Sequence, residues 1–175
     1  MRKITLLCAS LGLLASLQAK DNVFVGVQTG MSYSKSSYTS FLGNERTTRN
    51  SGTYQTAHIG KYFDAHRVSL SMQSSEIGFA YDYMIDLEDQ KLTPYIGTGL
   101  SYYRHTYNNG TKDTISSLSV PIALGFTYPL DDRFELDVGF RYTTFISSSG
   151  NHSDGLVMAE QESSYGYHIG FNYSF

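Results

Sequence analysis

The chain has 175 residues, a formal net charge of −3, 15 tyrosines, 10 phenylalanines, 16 glycines, 3 prolines and one cysteine. A single cysteine, Cys8, rules out a disulfide framework or a thiolate metal centre within the chain, and the mild acidity lacks the basic stripe that nucleic acid requires. Beyond residue 19 no stretch approaches the roughly 20 apolar residues of a spanning helix, so the many aromatics are expected on strands.

Arg2 and Lys3 precede an apolar run from Ile4 to Leu17, followed by Gln18-Ala19 and the polar Lys20-Asp21-Asn22. This is the pattern of a cleaved secretory signal peptide. Residues 1–19 are therefore read as the leader and 20–175 as one domain. A lipoprotein reading at Cys8 is poor, because Leu6-Leu7 stand where a small residue is expected.

Eight segments of period two follow, the signature of strands with two different faces. The first, about Val23 to Tyr33, sets Val23, Val25, Val27, Met31 and Tyr33 against Gly26, Gln28, Gly30 and Ser32, and a long polar stretch runs from Ser34 to Gly52. The second, about Thr53 to Phe63, places Ala57, Ile59 and Phe63 opposite Thr56, His58, Gly60 and Tyr62; Asp64-Ala65-His66 turns the chain. The third, about Arg67 to Gln73, opposes Val68, Leu70 and Met72 to Ser69, Ser71 and Gln73. The fourth, about Glu76 to Leu87, alternates Ile77, Phe79, Tyr81, Tyr83, Ile85 and Leu87 with Gly78, Ala80, Asp82, Met84 and Asp86.

After the charged turn Glu88-Asp89-Gln90-Lys91, the fifth segment, about Thr93 to His105, points Ile96, Leu100 and Tyr102 outward and Tyr95, Gly97, Gly99 and Ser101 inward, and Asn108-Asn109-Gly110 marks a loop. The sixth, about Leu118 to Tyr128, carries Pro121, which lacks an amide donor and is expected to cost a rung of the ladder. The seventh, about Phe134 to Phe145, turns Glu135, Asp137, Gly139 and Arg141 away from Phe134, Leu136, Val138, Phe140 and Tyr142. A second polar loop, Ile146 to Glu162, leads to the closing segment Tyr167 to Phe175.

An even number of such strands with alternating short and long connections predicts an all-β, eight-stranded antiparallel up-and-down transmembrane barrel, with both termini on the periplasmic side. Closure removes free edges. The odd-numbered face of the last strand would meet lipid, and strand-end aromatics such as Tyr33, Phe63, Tyr128, Phe134 and Phe175 would form the interfacial girdles. A soluble lipocalin-like barrel is the inverted alternative, with the aromatic face inside.

Residues Thr93-Pro94-Tyr95-Ile96-Gly97-Thr98-Gly99-Leu100-Ser101-Tyr102, Phe140-Arg141-Tyr142 and the aromatic strand ending at Phe175 resemble motifs of the small eight-stranded outer-membrane barrels of Gram-negative bacteria, the class of the OmpA transmembrane domain, OmpX and the opacity-type porin-like surface proteins. The resemblance covers the whole mature length. It implies the fold and the bacterial outer membrane as location, contact with outer-membrane lipid and lipopolysaccharide, and delivery to the barrel-assembly machinery. The assembly signal would be Tyr167, Ile169, Phe171, Tyr173 and Phe175. It implies no activity, and no peptidoglycan-binding domain follows.

The inward charges Asp82, Asp86, Glu135, Asp137 and Arg141 form either a selectivity network in a narrow pore or an interior polar network of structural pairs. The second is favoured, because eight strands leave room only for side chains and a buried charge needs a partner. Among the lipid A-modifying enzymes of this architecture, the deacylases carry a His-x-Ser pair that Arg141-Tyr142-Thr143-Thr144-Phe145 lacks; His152-Ser153-Asp154 sits in a glycine- and serine-rich loop that does not fix its geometry. His58, His66, His105, His152 and His168 have no paired ligand spacing, so neither metal nor cofactor is expected.

Lys35, Tyr38, Phe41, Arg46 and Arg49 in the first polar stretch are the candidate surface-loop contacts, for a protein, a glycan, lipopolysaccharide or a host ligand. The leading expectation is thus a non-enzymatic barrel that presents adhesin-like loops and supports the cell envelope. A small low-conductance channel is the alternative, and a lipid A-modifying enzyme ranks below both.

Overall fold

In the computed structural model the alternating segments form β1 (Val23–Ser40), β2 (Glu45–Phe63), β3 (His66–Gln73), β4 (Glu76–Met84), β5 (Thr93–Asn108), β6 (Lys112–Pro129), β7 (Phe134–Asn151) and β8 (Val157–Ser174). The structure describes residues 22–40, 45–88, 90–108, 112–151 and 157–175; the expected leader lies outside them. Each strand pairs antiparallel with its chain neighbours, and β1 pairs with β8, so the sheet closes into an eight-stranded barrel. At the seam Val25 faces Tyr173, Val27 faces Phe171 and Thr29 faces Ile169, and the Phe175 amide donates to the Val23 carbonyl at 3.0 Å.

The barrel is apolar outside and polar inside. Among the described residues the large buried hydrophobics are Phe24, Met84 and Tyr95, whereas Arg67, Asp82, Asp137, His168 and Asn172 are all buried. Leu70, Ile77, Ile96, Ile122, Leu124, Ile169 and Phe171 face outward. A soluble barrel would bury that second set, because apolar surface left in water costs about 25 cal/mol per Å². The lipocalin-like alternative is therefore overturned, and the lumen is the polar side.

Three expectations change in detail. The stretch Ser34 to Gly52 is mostly strand, with Lys35 opposite Arg49 and Tyr38 opposite Arg46, and much of Ile146 to Glu162 likewise belongs to β7 and β8. Above the apolar band both faces of a ribbon meet water, so backbone pairing continues where hydrophobic alternation has ended. Conversely, β4 stops at Met84, opposite Tyr95, although the Ile85 amide still donates to the Pro94 carbonyl at 2.8 Å. Ile85, Asp86 and Leu87 thus lie past the end of the strand, and the alternation expected to run on to Leu87 stops at Met84.

Pro121 has the predicted effect. Pairing of β5 with β6 runs to Thr98–Ile122 and resumes at Ser101–Ser119, skipping the rungs at Pro121. The Thr98 hydroxyl donates to the Pro121 carbonyl at 3.1 Å, which satisfies one group the missing rung leaves open. Two bulges break the register elsewhere: Glu162 is the extra residue opposite Lys35 and Ser36, and Ile146 is the extra residue opposite Leu118 and Ser119.

The wall is uneven in height. β3 and β4 have 8 and 9 residues and are joined at Ser74-Ser75, whereas β1, β2 and β5 to β8 have 16 to 19. Consequently β2 has no β3 partner before Ala57, and β5 has no β4 partner after Tyr103.

Candidate functional site

Inward positions from seven strands meet in one cluster across the lumen. Arg67 on β3 donates through Nε to Asp82 on β4 at 2.9 Å and through Nη1 to Asp137 on β7 at 2.7 Å. Its guanidinium lies over the Tyr95 ring, 4.6 Å from the centroid. The Tyr95 hydroxyl on β5 donates to Asp137 at 2.9 Å, and His168 Nε2 on β8 is 3.2 Å from the same oxygen.

A second layer adjoins the first through Glu135, 4.0 Å from Arg67 Nη1. Glu135 accepts from Tyr62 on β2 at 2.6 Å and from the Asn172 amide at 2.9 Å, and Asn172 in turn meets His58 Nε2 at 2.7 Å. Phe24 on β1 packs against the Tyr62 and His58 rings. One guanidinium thus stands among three carboxylates, with phenols, an amide and imidazoles making further contacts. Such charges persist in a low-dielectric lumen only because each is paired and hydrogen-bonded.

Small residues make the room. A Cβ on Gly97 would lie 1.9 Å from the Asp82 carboxylate, and one on Gly139 would lie 2.5 Å from the Tyr95 hydroxyl and 2.6 Å from the His168 ring. The cluster spans the lumen beside a space of about 50 Å³ bordered by Arg67, Tyr95, Asp137 and Arg141. On the tall side lies a vestibule of about 1460 Å³, lined by Gln28, Tyr54, Gln73, Glu76, Arg141 and Ser164 among others. Arg141 borders both spaces.

Of the expected interior residues, the structure brings together Asp82, Glu135 and Asp137. Arg141 is not their counter-ion: its Nη1 is 4.0 Å from Glu76, and its Nε is buried with no hydrogen-bond partner. Asp86 is exposed in the crossing after β4 and belongs to no interior network, because the strand that would have turned it inward ends two residues earlier.

The counter-ion is Arg67, at the start of the third alternating segment. Its phase with Ser69, Ser71 and Gln73 was the available signal. Tyr62, His58, His168 and Asn172 were legible as inward by the same phase, but their contacts join strands far apart in sequence.

Of the expected surface contacts, Lys35 and Arg49 are exposed on paired strands rather than on a loop, and the Lys35 ammonium pairs with the bulged Glu162 carboxylate. Phe41 lies outside the described residues, as do the side chains of Tyr38 and Arg46 and the segment His152-Ser153-Asp154.

On the closing strand Tyr167, Ile169 and Phe171 are exposed on the outer face, as is Phe175 just beyond it. Tyr173 lies between the Phe134 and Phe175 rings and accepts from Arg133 at 3.1 Å. In the turn below, Asp131 accepts from the Arg133 and Phe134 amides, both at 2.8 Å, which holds its carboxyl below the usual carboxylate range.

A family model described as outer membrane protein beta-barrel domain matches residues 9–175. The comparison with curated proteins returned no match. Among solved structures the chain is similar to neisserial surface protein A, at 19% identity over 86% of this chain and 97% of that one, with a TM-score of 0.62. It is similar also to the N-terminal β-barrel domain of Pseudomonas aeruginosa OprF, at 15% identity over 88% and 100%, TM-score 0.55. For AlkL, determined in lipid bilayers, the values are 13% identity over 91% and 93%, TM-score 0.58. At such identities the likeness to these structures is one of fold.

Proposed function

The chain belongs to the family of outer membrane protein β-barrel domains of bacteria, and from that premise we propose that it is a non-enzymatic display scaffold rather than a conduit. The observation that carries this is the Arg67 cluster, which spans the lumen with buried, mutually paired groups. A conducting pore needs a continuous wet path, and a path here would require breaking charge pairs that are costly to separate.

The tall polar sheets β8–β1–β2 and β5–β6–β7 then stand outside the cell, the short turns and both termini lie in the periplasm, and the exposed Lys35 and Arg49 make the surface contacts with a host or envelope ligand. Lipid and lipopolysaccharide surround the outer band. The aromatic residues of β8 from Tyr167 to Tyr173, with Phe175, direct assembly by the barrel-assembly machinery.

Two measurements test the reading. Arg49→Cys is expected to react with a membrane-impermeant maleimide on intact cells, and Asp131→Cys only after permeabilisation; the reverse pattern refutes the orientation. In planar bilayers the purified barrel is expected to give no stable steps, and large selective steps would replace display by a channel.

A further inference from the structure

The low part of the wall lies at a definite depth. Met72 and Ile77, opposite each other at the top of β3 and β4, are 60% and 58% exposed on the outer face, with Leu70 and Phe79 below them. On neighbouring β2 the outward residues change at the same level from Ile59 and Ala57 to Gln55 and Thr53. The hairpin Ser74-Ser75 is therefore a sill at the upper limit of the apolar band, and the notch above it opens sideways at the depth of lipid headgroups.

The notch is chemically distinctive. Tyr54 and Tyr62 turn their carbonyl and amide toward β1, so alternation directs the backbone groups of Ser51, Thr53 and Gln55 into the notch, where no strand of the barrel pairs with them. At the β5 edge Arg104 is exposed at the level of the sill, its amide donating to the Ser75 carbonyl at 2.7 Å. Just inside, Arg141 has the unpartnered Nε and only a 4.0 Å approach from Glu76 on the sill. Gln73, Ser74, Ser75 and Arg141 line the same space of about 1460 Å³.

We propose that the notch is a lateral port that seats the phosphorylated sugar headgroup of a glycolipid from the surrounding leaflet. The acyl chains stay outside on Leu70, Met72, Ile77 and Phe79, while the headgroup passes over the sill. Its phosphate is held between Arg104 outside and Arg141 inside, and the hydroxyl and amide lining takes the sugar. Where side chains turn inward the vestibule presents Gln28, Tyr54, Gln73, Glu76, Arg141 and Ser164, groups that can hydrogen-bond a headgroup and that an acyl chain would leave unsatisfied, and the space is wider than a bare phosphate needs. Arg141 gains in the ligand the charge-assisted hydrogen bond that Glu76 at 4.0 Å does not supply.

This goes beyond display and rests on the tall end facing outward, which the cysteine labelling tests separately. The experiment uses the full mature barrel in neutral detergent, with folding verified by heat-modifiable gel mobility. Three probes are compared: a bis-phosphorylated glucosamine disaccharide lipid, its deacylated water-soluble disaccharide, and phosphatidylcholine.

Native mass spectrometry is expected to find the phosphorylated glycolipid retained about tenfold over phosphatidylcholine. Arg104→Gln and Arg141→Gln should each weaken it about tenfold, the scale of one charge-assisted hydrogen bond. A variant with six residues inserted between Ser74 and Ser75 raises the sill, and should lose the glycolipid while keeping the soluble disaccharide. Equal retention of both lipids, indifference to both arginine substitutions, or undiminished glycolipid binding over the raised sill would each overturn the proposal. Binding of the soluble disaccharide alone would overturn lateral entry.

Discussion

Arg67 decides the state of the lumen because it is the cation that Asp82 and Asp137 both contact within 3 Å. Taking it away leaves carboxylates in a space that water reaches poorly, and breaking such a pair costs about 3–5 kcal/mol. Arg67→Ala is therefore expected to lower the unfolding free energy by about that much, read from urea titration in detergent by heat-modifiable mobility. Arg141→Ala, whose 4.0 Å pair with Glu76 is partly exposed, is expected to cost no more than about 1 kcal/mol; equal losses would remove Arg67 from its central place. The sequence suggested Arg141 as counter-ion because it shares a strand face with Glu135 and Asp137. Same-face neighbours stand about 7 Å apart along a strand, and the shorter approach comes across the lumen, which a sequence does not display.

At the level of elements, inward glycines set where strands can carry large side chains opposite them. Gly97 on β5 leaves the place that Asp82 on β4 occupies, with a Cβ there falling 1.9 Å from its carboxylate. Asp82 cannot retreat, being held by Arg67. Gly97→Ala is expected to destabilise the barrel by about 1–3 kcal/mol, the cost of overpacking a filled interior. In an Asp82→Ala background the same change should cost markedly less, and additive losses in this double-mutant cycle would show that the clash is not with Asp82. The strand phases were readable from the sequence, as were the eight elements and the gap at Pro121. Strand ends were less so, because paired ribbons in water need no hydrophobic alternation.

For the whole molecule, the inverted arrangement of faces makes a prediction that separates a membrane barrel from a soluble one. Ile122 sits at the middle of the outward row on β6 and is half exposed. In water, Ile122→Arg would change little. In a bilayer it places a charge near the midplane and is expected to cost about 2–4 kcal/mol, measurable as a shifted unfolding midpoint in lipid vesicles; a midpoint within error of the parent would contradict the lipid-facing assignment.

By itself the sequence determined the period of the strands, their number, and which face of each is apolar, since these are local properties that alternate every second residue. It carried the family resemblance for the same reason. Tertiary structure alone decided that Arg67 rather than Arg141 holds the acidic cluster, that Asp86 stands outside it, and that the wall is low at β3 and β4. Each of these depends on closure, which fixes the register and brings together side chains distant in the chain, and on where each strand ends.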